Sequence, residues 1–234
     1  MGILSEQALA ALPSTEFDRW WHSPGESVEP ANQRRGGESG VVRLQHWDTH
    51  RPLLYCKRQS GHLYRSLRHP LGRPTILREL QAYRAFARLG VRTPNIVYCA
   101  ARKQAGQWQA LLVTEALQGF VSLEQWYSEA HPLQLNQAML RNLAVTLARL
   151  HLGGWQHGCC YAKHLFVKIR NAGEVDIALL DLEKARRRWR VASAARRDLG
   201  QLQRHCGAMP EADMLYLRQA YHHALNSPWG GMQR

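Results

Sequence analysis

Residues 155–168, WQHGCCYAKHLFVK, decide how this chain is read. The stretch opens on His157, turns through an adjacent cysteine pair, Cys159 and Cys160, and passes His164 into a β-like run at Leu165–Lys168. Upstream, Leu135, Met139, Leu140, Leu143, Leu147 and Leu150 share one face of a helix predicted over about 134–152, which Gly153 and Gly154 stop. Downstream, LFVKIR and VDIALLDL read as two short strands joined by NAG, and the second delivers Asp181 to the end of an apolar run. A polar loop rich in His, Cys, Tyr and Lys, held between regular elements, is where chemistry is expected.

Working outward, residues 1–25 read as a loosely helical arm. Residues 26–117 read as a small sheet with one helix, and 118–234 as a mostly helical part. In the middle part, SGVVRLQHW, the turn DTHRP and LLYCKRQ form a hairpin, approached by the polar, glycine-rich NQRRGGESG. Residues 62–73 are basic and irregular. Thr75 is expected to cap a helix whose apolar stripe is Ile76, Leu80, Tyr83 and Ala87, and which Gly90 ends. NIVYCAAR and WQALLVTEAL read as strands joined by KQAGQ. Beyond them, Ser122 caps a short helix over 123–130, and the last helices fall near 195–206 and 211–225.

Composition narrows the class. A hydrophobic share of 45% and a charged share of 21% are globular. No apolar run is long enough for a transmembrane helix, and the N-terminus lacks the basic start of a secretory signal. Five cysteines, an odd count with one adjacent pair, make a poor disulfide framework and suit a reducing cytoplasm. A net charge of +13 points to an anionic partner. The densest run, KARRRWR at 184–190, lacks the aromatic interleaving of single-strand readers, so nucleic acid is not expected.

The order of sheet with one helix, long helix, polar loop, hairpin and helices resembles the protein-kinase-like fold. That is an α+β architecture with a small antiparallel-sheet N-lobe and a reduced, mostly helical C-lobe. More narrowly, the chain resembles the lipopolysaccharide inner-core sugar kinases of Gram-negative bacteria, the InaA/WaaP-type branch, from about Asn32 to Cys206. The loop of that branch resembles H-R-D-C-Y-x-x-H, and this chain has H-G-C-C-Y-A-K-H at 157–164. Cys160, Tyr161 and His164 match. Gly158 replaces Arg, and Cys159 replaces the catalytic Asp.

The resemblance implies ATP and Mg²⁺ as cofactors and assigns residues to them. Gly36, Gly37, Ser39 and Gly40 form the glycine turn whose backbone approaches phosphates. Lys57 reaches the α and β phosphates, and Glu79, 22 residues later, holds its ammonium in place. LLVTEALQG at 111–119 resembles the hinge, with Glu115 and Leu117 offering backbone to adenine and Thr114 behind them. Asp181, in DLE rather than DFG, holds the metal with His164. Asp198, in RRDLGQL, braces the loop.

General-base help is worth about 10²–10⁴-fold, and a loose phosphoryl-transfer transition state asks little of a base. A slower kinase without Asp is therefore one reading. In it His157 opens the catalytic loop, and a Cys159 thiolate, lowered by Lys163 and nearby arginines, takes the Asp position. A second reading is a pseudokinase, a nucleotide-binding or regulatory module in envelope stress. A third treats His157, Cys159, Cys160 and His164 as zinc ligands, although adjacent cysteines point apart. Only about 14 residues separate Asp181 from the helix expected near Ala195, too few for a peptide-docking activation segment. A sugar of the lipopolysaccharide core glycolipid is the implied acceptor. The basic run 184–197 would meet it and the anionic inner-membrane surface, from the cytoplasm.

Overall fold

The computed structural model describes residues 14–34, 36–44, 52–67, 69–170 and 173–227. The start of the N-terminal arm, most of the DTHRP turn and the first two residues of the NAG turn lie outside them. Contacts divide the chain into two units, residues 1–81 with 94–118, and 82–93 with 119–234.

The first unit is built on an antiparallel sheet. Its strands are β1 (Gly25–Ser27), β2 (Asn32–Arg34), β3 (Gly37–Leu44) and β4 (Leu54–Ser60), with β7 (Ile96–Gln104) and β8 (Gln107–Glu115). They run in the order β1-β3-β4-β8-β7, with β2 also paired to β3. β4 is central, so Lys57 sits between Val41 of β3 and Leu112 of β8. β8 is buried from Ala110 to Thr114, which suits its apolar run ALLVT.

Residues 62–73, expected to be irregular, instead contain most of a second hairpin, β5 (Leu63–Ser66) with β6 (His69–Pro74). Among the described residues this ribbon pairs with no other strand, and a two-stranded ribbon tolerates the prolines that a central strand excludes. The arm also gains definition. Helix α1 (Ser14–His22) buries Phe17, and Arg58 of β4 donates to the carbonyls of Trp20 and Ser23 at its C-terminal end.

Helix α2 spans Thr75–Arg88. Thr75 is its first residue, and its hydroxyl donates to Gln59 Oε1 at 2.8 Å. The same oxygen accepts the Ile76 N–H at 3.2 Å, so a β4 side chain supplies the cap expected of Thr75. Ile76, Leu80 and Tyr83 are buried as predicted. Ala87 is exposed, because in the second half of the helix, which counts with the other unit, the buried face consists of Ala82, Tyr83, Ala85 and Phe86.

In the second unit, β9 (Val121–Ser122) leads into α3 (Leu123–Trp126), and Ser122 Oγ accepts the Gln125 N–H, a side-chain N-cap. α3 is four residues long, shorter than expected. α4 (Leu133–Leu152) buries Met139, Leu140, Leu143, Leu147 and Leu150 and packs on α6 (Glu211–Asn226). β10 (Trp155–Gln156) follows α4. β11 (Leu165–Ile169) pairs with β12 (Val175–Leu179) and with β9. β13 (Arg186–Arg187) returns to β10, and α5 spans Val191–Arg204, starting four residues earlier than expected. No helix among the described residues is long and apolar enough to cross a membrane.

Candidate active site

The first unit brings together the residues expected to hold nucleotide. Lys57 Nζ donates to Glu79 Oε2 at 2.8 Å, and the two side chains are 15% and 3% exposed. β4 aims the lysine, while α2, tied to β4 through Gln59, presents the carboxylate. The glycine turn joins β2 to β3. Gly36 has φ +73°, and a Cβ on Gly37 would lie 2.2 Å from the Gly61 carbonyl carbon. Side chains other than hydrogen would therefore strain or block this turn. Gly40 lies within β3. Ser39 is buried and its hydroxyl accepts from Gln59 Nε2, so it is part of the strand network. At the end of β8, Thr114 is buried, and the Glu115 N–H is taken by the Asn95 carbonyl at 2.9 Å. Leu117 follows in the connection to β9, half-buried.

The second unit organises the polar loop on α5. Asp198, fully buried, accepts the N–H groups of His157 at 2.7 Å and Gly158 at 3.0 Å, and also His151 Nε2 at 3.1 Å. Gln201, three residues on, accepts the Cys160 N–H and donates to the Gly158 carbonyl. Residues three apart share a helix face, so one side of α5 grips the loop. Gly158 has φ +80°, and a Cβ there would lie 2.5 Å from the Lys184 carbonyl oxygen. That crowding accounts for glycine where the resemblance has arginine. His157 Nδ1 accepts the Cys159 N–H, and burial lowers the imidazole pKa, so the ring is neutral.

Asp181 leaves β12 with φ 58° and ψ 70°, a left-handed conformation that Asp tolerates better than most residues. Leu182, fully buried in the next turn, anchors it. The carboxylate stays 32% exposed and lies 3.8 Å from His164 Nδ1, which also contacts the Cys159 carbonyl at 2.9 Å. One ligand atom each from Cys159, His164 and Asp181 lies within 4.8 Å of the others.

This grouping corrects the four-residue zinc reading. Among the described residues Cys159 and His164 group with Asp181 rather than with His157 and Cys160, and His157 Nδ1 already accepts the Cys159 N–H. The thiolate expected at Cys159 is also corrected. Burial, then the Asp181 carboxylate, push its pKa up to about 12. The opposing positive charge is Lys184, whereas Lys163 is exposed. His151 and Gln201 belong to none of the motifs above, yet both hold this region. The three-residue spacing of Asp198 and Gln201 was the available signal for the second.

A profile of the lipopolysaccharide kinase (Kdo/WaaP) family matches residues 18–221. The chain is also 41% identical, over 214 residues, to Protein InaA of Escherichia coli (strain K12), covering 90% of this chain and 96% of that one. It belongs to the lipopolysaccharide kinase (Kdo/WaaP) family. A solved structure, WaaP in complex with acyl carrier protein, matches with a TM-score of 0.67 and 21% identity, over 94% of this chain and 88% of that one. The fold is protein-kinase-like, α+β with antiparallel sheets.

Magnesium suits this Kdo/WaaP site only in part. A magnesium ion carried by a triphosphate asks one or two carboxylates of the protein, and Asp181 is such a group. The sulfur of Cys159 and the imidazole of His164 are not donors that a hard cation seeks.

Proposed function

We propose that the chain is an ATP-dependent kinase that phosphorylates a heptose-like sugar of the lipopolysaccharide inner core, from the cytoplasmic side and peripheral to the inner membrane. The observation that carries this reading is the Lys57–Glu79 ion pair, 2.8 Å long and largely withdrawn from water. Such pairs contribute little net stability, so their use lies in holding an ammonium in one geometry. In this reading Lys57 meets the α and β phosphates and the Gly36–Gly37 backbone approaches them. Asp181 holds magnesium, which when bound spreads the phosphate charge. The Glu115 carbonyl and the Leu117 backbone serve adenine. Asp198 and His151 keep the loop at 157–160 in position. Catalysis then rests on positioning and charge neutralisation rather than on a strong base.

In the basic run after Asp181, Arg186, Arg187 and Arg190 are exposed, and so is Trp189. Arginines beside an interfacial tryptophan suit a phosphorylated glycolipid and the anionic leaflet that carries it.

One observation favours a second reading, a nucleotide-binding module without turnover. A thiol with a pKa of about 12 takes no proton from a sugar hydroxyl near neutral pH.

Both readings require nucleotide binding. The melting temperature should rise with ATP and Mg²⁺, by an amount equivalent to about 2.7 kcal/mol at a hundred times Kd. The rise should vanish in Lys57→Ala. A wild-type protein that melts at the same temperature with and without millimolar nucleotide removes both readings.

A further inference from the structure

We propose that Cys159, His164 and Asp181 form a binding site for a thiophilic divalent cation of the zinc class, which competes for Asp181 with the magnesium of the kinase reading. The proposal needs only the second unit and does not rest on the kinase reading.

Three arguments support it. The first is geometry. One ligand atom from each residue lies within 4.8 Å of the other two. Tetrahedral zinc places sulfur at about 2.3 Å and nitrogen or oxygen at about 2.0–2.2 Å, which separates ligands by about 3.3–3.8 Å. Closing the trio onto an ion therefore takes side-chain shifts of about 1 Å.

The second is chemistry. One sulfur, one imidazole nitrogen and one carboxylate oxygen suit zinc or cobalt, and three protein ligands with an open fourth position is an arrangement zinc sites use. The Asp181 side chain is 32% exposed, so the site is open to solvent on that side.

The third is support around the ligands. The Cys159 N–H is held by His157 Nδ1, and the His164 ring is held by the Cys159 carbonyl at 2.9 Å. Carbonyl contacts of this kind orient a ligating ring. The left-handed backbone of Asp181 sets its carboxylate beside the Cys159 thiol and the His164 ring. On binding, the cation takes the place of that thiol proton, which goes to solvent, and sulfur and carboxylate both bond to the metal.

The test uses the full chain without nucleotide, titrated with Co²⁺ and then with Zn²⁺ against a chromophoric chelator. One equivalent of Co²⁺ should give a near-ultraviolet sulfur-to-cobalt charge-transfer band, and a hundredfold excess of Mg²⁺ should not remove it. Cys159→Ser should abolish the band and weaken Zn²⁺ at least tenfold, and His164→Ala should weaken Zn²⁺ similarly. Cys206→Ser should change nothing. X-ray absorption of the zinc-loaded wild type needs no variant, and should show one sulfur and otherwise nitrogen or oxygen ligands. Cys159→Asp should lose the band and shift preference toward Mg²⁺ or Mn²⁺. A wild type that takes up no stoichiometric metal, a zinc shell without sulfur, or a band that survives in Cys159→Ser overturns the proposal.

Discussion

At Asp198 one carboxylate accepts two loop N–H groups and the His151 imidazole while fully buried. His157, held by that carboxylate through its backbone, sets a pH dependence. Folded, its imidazole stays neutral because burial lowers its pKa from 6.5. Unfolded, it takes a proton near that pH, so the unfolded state binds more protons below it and stability falls as pH falls. The urea midpoint should drop between about pH 7 and 5, and the drop should be shallower in His157→Gln. Gly158 supplies a second residue-scale prediction. Gly158→Arg restores the arginine of the H-R-D pattern but places a Cβ 2.5 Å from the Lys184 oxygen at φ +80°. A penalty of about 2 kcal/mol or more is expected, seen as a melting temperature lower by at least about 4 °C.

Helix α2 shows what passes between elements. Its N-terminus is capped from β4, since Gln59 accepts from both Thr75 and Ile76. Gln59→Ala should cost about 1–3 kcal/mol in chemical denaturation, because two buried donors lose their acceptor. It should also loosen Glu79, one turn further on, and weaken nucleotide binding more than its stability loss explains. Periodicity made α4 and the first turns of α2 legible, because leucines at helical spacing leave few alternatives. The β5–β6 ribbon was not legible, since β6 carries Pro70 and Pro74 and, among the described residues, the two basic strands pair only with each other. The start of α5 was missed because Arg190, at the N-cap, makes no side-chain capping hydrogen bond, so the usual start signal is lacking.

For the whole molecule, the order of elements carried the fold, and at the candidate site the pairing of Lys57 with Glu79 was legible from their residue types and spacing. The state of Cys159 was not legible, because a sequence shows the neighbouring cations but not the burial and the carboxylate that outweigh them. The +13 charge and the exposed Arg186, Arg187 and Arg190 suit the anionic glycolipid proposed as acceptor. The most direct test supplies γ-labelled ATP, Mg²⁺ and dephosphorylated lipopolysaccharide core to the full chain. The account predicts label on the core sugar, reduced at least about a hundredfold in Lys57→Ala and Asp181→Ala. Wild-type labelling no greater than that of Asp181→Ala, by a protein that still binds nucleotide, would contradict it.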